Sequence, residues 1–96
     1  MNKELQTLAQ MLDKDFEIRE FETEAALKNE LTNVLIYLLL NNMERLWAIL
    51  YRIDVNEQKV KGLFDLQNPK DIAPALADLI IERQKQKIES RKNYKQ

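Results

Sequence analysis

Apolar residues recur along this chain at helical spacing from one end to the other. Leu5, Leu8, Leu12 and Phe16 follow one another at three- and four-residue steps, which places them on one helix face behind Asn2, a good N-cap residue. This first helix is predicted to end near Asp13 to Asp15. Phe16 to Phe21 then alternates briefly, and with no second strand to pair with it reads as an extended connector anchored by Phe16, Ile18 and Phe21. Thr23 is the next N-cap, ahead of the helix formers Ala25, Ala26 and Leu27. Two stripes follow: Leu27, Leu31, Val34, Leu35 and Leu38, then Ile36, Leu40, Met43, Trp47 and Leu50. The second stripe crosses Asn41-Asn42 without losing phase, and no Gly or Pro occurs before Gly62. One continuous helix from Thr23 to Ile53 is therefore expected. The alternative is a break at the Asn pair, where Asn41-x-x-Glu44 fits a capping box.

Asp54-x-x-Glu57 repeats that pattern and opens a helix carrying Val60, Leu63 and Phe64. Gly62 sits inside it or ends it. Asn68-Pro69 marks a turn. With Asp71 as N-cap, Pro74 falls in the first turn, where proline is tolerated, so the last helix is predicted from Ile72 to about residue 92. The expected fold is all-α: one domain, 1–96, with about four helices, those at 23–53 and 72–92 being long.

Composition strengthens this reading. One Gly and two Pro in 96 residues are too few for the turns of an all-β fold. The 45% apolar and 32% charged fractions are those of a globular chain. A domain of this size buries roughly 65% of its unfolded surface and needs no staple. The longest apolar run, Val34 to Leu40, is far short of the roughly 20 residues of a membrane span. Met1-Asn2-Lys3-Glu4 lacks the basic flank and apolar core of a signal peptide. A cytoplasmic protein with no membrane partner is expected.

There is neither His nor Cys. The usual general base, the thiolate nucleophile and the nitrogen and sulfur ligands of zinc, copper, haem and iron–sulfur sites are missing. There is no Gly-rich phosphate loop and no nucleophile-elbow serine either. The expectation is no enzyme, with no catalytic, cofactor-binding or metal residues and no cofactor. Asp54 to Asp65 fails as a calcium loop because Lys59 and Asp65 stand where Gly and Glu are required. The acidic run Asp13, Asp15, Glu17, Glu20, Glu22 and Glu24 is interleaved with Lys14 and Arg19 and reads as a solvated face.

Net charge is −1, unevenly spread. Residues 1–32 carry four basic and eight acidic side chains, and residues 82–96 carry six and two. Along the last helix, the line through Ile72, Leu76, Leu79 and Ile80 continues into Arg83, Lys87, Arg91 and Tyr94. The basic end is expected to lay its stems along a neighbouring helix and to meet the acids around Glu17, Glu20, Glu22 and Glu24. Trp47 and Tyr51, four apart, share a face suited to a core or an interface.

The stretches from Trp47 to Asn56 and from Ile80 to Lys87 resemble a group of small uncharacterised bacterial all-helical proteins. That resemblance implies a cytosolic bacterial protein and carries no site residues with it. The functional expectation is a non-enzymatic interaction or structural protein working through helix–helix contacts, with Trp47, Tyr51, Arg83, Lys87 and Arg91 as its candidate contact residues. A helix of 31 residues, apolar nearly all round between Val34 and Leu40, needs more cover than one chain supplies, so a homodimer is expected; another protein is the other possible partner. The rival reading is a nucleic-acid-binding accessory protein using Arg83, Lys87, Arg91 and Lys92. The acidic pI of about 5.5 disfavours it.

Overall fold

The structure, a computed structural model, describes residues 3–18 and 23–94, with side chains as far as Arg91. The expected cap at Asn2 and the connector residues Arg19 to Glu22, Phe21 among them, lie outside the described residues. Five α-helices follow in order: α1 Lys3–Phe16, α2 Glu24–Asn41, α3 Met43–Ile53, α4 Glu57–Leu63 and α5 Pro69–Tyr94. A short 3₁₀ turn, Phe64–Leu66, separates the last two. No strand occurs among the described residues.

Helix α1 buries Leu8, Leu12 and Phe16 at successive four-residue steps. It runs one residue past the expected end and stops at Glu17, whose left-handed φ of 57° turns the chain. Its N–H still donates to the Asp13 carbonyl at 2.9 Å. Ile18, only 3% exposed, then anchors the exit into the core. Thr23 caps α2 as expected, its Oγ1 accepting from the Ala26 N–H at 3.1 Å.

The continuous helix over 23–53 does not form. Asn42 leaves the helical region at φ −154°, ψ 71° and serves both neighbours. Its N–H donates to the Leu38 carbonyl at 2.8 Å, closing α2, and its Oδ1 accepts from the Arg45 N–H at 3.1 Å, opening α3. A single asparagine thus replaces the hydrogen bonds that a break would otherwise cost. Asn41, the expected cap, stays in α2 and donates back to the Tyr37 carbonyl. The helix count is therefore five, not about four. The homodimer expectation rests on one helix of 31 residues, which the break at Asn42 divides into α2 and α3.

The next two boundaries also shift. Asp54 ends α3 in the left-handed region (φ 67°), with its N–H on the Leu50 and Tyr51 carbonyls, and Asn56 is the cap of α4. The last helix starts three residues before the expected position. Asn68 accepts from the N–H groups of Asp71 and Ile72 through its carbonyl and of Lys70 through Oδ1, which makes Pro69 the first helical residue. Proline suits that place because its fixed φ is helical and no N–H is wanted there. Pro74 then lies inside the helix and forgoes one bond to the Lys70 carbonyl.

Gly62 is an exposed residue inside α4, and a Cβ built there meets no atom within 4 Å. Gly62→Ala should therefore raise stability by about 0.5–1 kcal/mol, read as a higher urea midpoint at unchanged slope. A loss of stability would show that the site needs glycine for another reason.

At 1.5 Å per residue, the 26 residues of α5 span about 39 Å, nearly the 42 Å long axis of the molecule. All four other helices pack on it. Pairs Lys28–Asp78 at 2.9 Å and Lys85–Glu24 at 2.6 Å show α2 running antiparallel to α5. Between them Leu27, Leu31 and Leu35 meet a surface built from Ala73, Leu76, Ala77 and Ile80, all fully buried. The two alanines leave room for close helix approach. No described helix is long and apolar enough to cross a membrane.

Candidate interaction surface

The turn between α3 and α4 gathers three of the five residues singled out from the sequence. Trp47 and Tyr51, one turn apart on α3, form a wall of a groove of about 440 Å³ whose floor is Leu50, Val55 and Val60 and whose rim carries Asp54, Asn56 and Glu57. Phe64, from the 3₁₀ turn, holds the Trp47 ring in place, the centroids 5.6 Å apart and the planes tilted by 37°. Tyr51 has no such support and is 89% exposed. Across Asp54–Asn56 lies a second hollow of about 480 Å³, lined by Lys59, Leu79, Glu82, Arg83 and Gln86 as well as by the turn itself.

Arg83 joins α5 to this turn. Its Nε donates to the Asp54 carbonyl at 3.1 Å and its Nη2 reaches the Asp54 carboxylate at 3.3 Å. It thus satisfies a carbonyl at the C-terminal end of α3, where the helix dipole also favours a cation. Among the described residues its acidic partner is Asp54. Glu17 is exposed, and Glu20 and Glu22 lie outside the described residues. The acidic and basic ends of the chain do meet, but through Lys85 and Glu24.

The core line of α5 also differs from the expected one. From Ile80 and Ile81 it passes through Gln84 to Ile88, all 6% exposed or less, while Arg83 and Lys87 flank it half-buried and Arg91 is exposed. The Tyr94 side chain lies outside the described residues. Burial holds the Lys87 ammonium below the usual lysine range, aided by repulsion from Arg83 and Arg91, while Asp54 and Asp15 pull the other way. Asp15 is itself paired with Arg52 at 2.9 Å. Arg52, Arg83 and Lys87 therefore gather where α1 and α3 end, with Asp15 and Asp54 set among them. This is the arrangement expected of cations that close helix C-termini.

A substitution pair separates structural from solvated cations. Arg83→Ala should cost about 1 kcal/mol, since it leaves a helix-end carbonyl unpaired and strips a packed stem. Lys85→Ala removes an exposed pair and should cost no more than about 0.5 kcal/mol. Equal losses in thermal unfolding would show that Arg83 holds nothing.

The other side of α5 is acidic, with Glu4, Glu24, Asp78, Glu82 and Glu89 around Lys85. No group of three or more His, Cys, Asp or Glu among the described residues could hold a metal. Sequence reasoning missed two residues. Asp54 matches a capping pattern for the following helix and instead ends the preceding one. Gln84 is polar, which hides it from a search for apolar periodicity, and sits in the core. Compared with family models, curated proteins and solved structures, the chain matches none of them.

Proposed function

We propose that this protein is a non-enzymatic interaction module that binds another protein through the helix surface around Trp47 and Tyr51. The observation that carries this reading is Tyr51, 89% exposed, standing beside a half-buried Trp on the wall of an open groove. Tyrosine and tryptophan dominate binding hot spots, and a tyrosine so placed does nothing for the fold. Tyr37 and Leu40 on α2 are exposed as well, 63% and 66%. The chain acts as a closed monomer towards a different protein, and light scattering should give about 11 kDa, the mass of one chain.

The test is affinity isolation from the cells that make the protein, comparing the native chain with Tyr51→Glu. A change at so exposed a residue should move stability by less than about 0.5 kcal/mol. Loss of defined protein partners at unchanged circular dichroism is the expected result. The same set of partners from both chains would overturn the reading. Nucleic acid is the second reading, through Arg83, Lys87, Arg91 and Lys92; of these Arg83 already pairs with Asp54, and the Lys92 side chain lies outside the described residues. No binding to DNA or RNA is expected at about 50 mM salt, where phosphate contacts are strongest.

A further inference from the structure

We propose that the groove between Trp47 and the α3–α4 turn receives a lysine or arginine side chain from a basic segment of the partner protein. The inference rests on reading the chain as an interaction module and names the chemistry of what it binds.

The groove has the volume of a ligand site, about 440 Å³. Its composition selects a cation with an apolar stem. Leu50, Val55 and Val60 supply an aliphatic floor of the kind that covers the methylenes of Lys or Arg. Trp47 and Tyr51, one helical turn apart, both line the groove, and aromatic rings attract ammonium and guanidinium groups. The charged residues on the rim, Asp54 and Glu57, are both acids, and no basic residue lines this groove. Arg83 approaches Asp54 from the neighbouring hollow.

Both carboxylates have capacity to spare. Asp54 meets Arg83 at 3.3 Å with its side chain 82% exposed, and Glu57 meets Lys61 at 3.4 Å with its side chain 70% exposed. These are long, solvated pairs, so each acid can accept a further donor without giving up a buried bond. A phosphate or a carboxylate would meet two carboxylates and no cation among the residues that line the groove. The charge of the rim therefore separates a basic peptide from a nucleic acid.

Trp47 is the one tryptophan of the chain, so its emission reports on this groove. The full chain is titrated at about 150 mM salt with a hexa-arginine peptide, and with hexaglutamate as control. A saturable change in Trp47 emission with hexa-arginine and none with hexaglutamate is expected. Tyr51→Ala and Glu57→Gln should each weaken binding about fivefold, the size of one cation–π or charge contact. Glu89→Gln, on the acidic side of α5, removes the same charge elsewhere and should weaken it less than about twofold. No emission change with hexa-arginine, or equal losses from Glu57→Gln and Glu89→Gln, would overturn the proposal. If hexa-arginine fails while Tyr51→Glu still loses its protein partners, the basic-segment inference falls and the interaction module stands.

Discussion

Leu76→Ala is expected to cost about 3–5 kcal/mol, the range for a buried leucine whose surroundings cannot collapse. Leu76 is fully buried on α5, the helix on which α1, α2, α3 and α4 all pack. Its neighbours along the helix, Ala73 and Ala77, have no side-chain reach with which to fill a void, and Ile80 is equally enclosed. A domain of 96 residues has a total stability of about 5–14 kcal/mol, so this one change removes a large share of it. Urea unfolding followed by circular dichroism would show a lower midpoint with little change of slope. A loss below about 1.5 kcal/mol would mean that the four helices are not held by a common contact on α5.

Gln84→Met should do the opposite and raise stability by about 1–2 kcal/mol. Gln84 is 3% exposed, the one buried polar side chain among the described residues, and its Oε1 is shut from water without a hydrogen-bond partner. An unpaired buried acceptor carries its full desolvation cost, about 1–3 kcal/mol. Methionine keeps the length and flexibility of the side chain and removes the carbonyl. The position lies between Ile80, Ile81 and Ile88, so the substitution completes an apolar stripe. An unchanged or lower midpoint would show that the amide is satisfied in solution, by water or by a shift of the helix end.

These two residues also show where the chain was legible. Leu76 belongs to a stripe that periodicity picks out on α5, and Leu27, Leu31, Leu35 and Leu38 to another on α2, all of them buried. Gln84 exposes the weakness of that method. Four-residue steps from Ile80 lead to Gln84 and Ile88, whereas the same steps from Leu79 lead to Arg83, Lys87 and Arg91. Each step of four drifts by about 40° around the helix, so both lines fit a stripe over a few turns. The packing of α1 and α2 selects the first.

Thr23 caps α2 where the sequence places it, but the later helix ends were legible in kind and not in place. Three caps lie within a few residues of another candidate: Asn42 beside Asn41, Asn56 beyond Asp54, Asn68 before Asp71. Propensity does not rank such neighbours. The winner is the residue that lets the next helix reach α5. Asp54 illustrates the consequence for the candidate site. Once it closes α3 in the left-handed region, its carboxylate and carbonyl both turn to Arg83, and the groove beside Trp47 takes shape around the same turn. The pairing joins residues 29 apart in sequence, which no local pattern encodes.

The proposed partner protein sits on the surface at Tyr51. A photo-crosslinking phenylalanine analogue placed at Tyr51 in the living cell tests it directly, with the same analogue at exposed Glu30 on α2 as control. A discrete protein adduct from position 51 that is absent from position 30 is the predicted result. No protein adduct from position 51, or the same adducts from both positions, would contradict it.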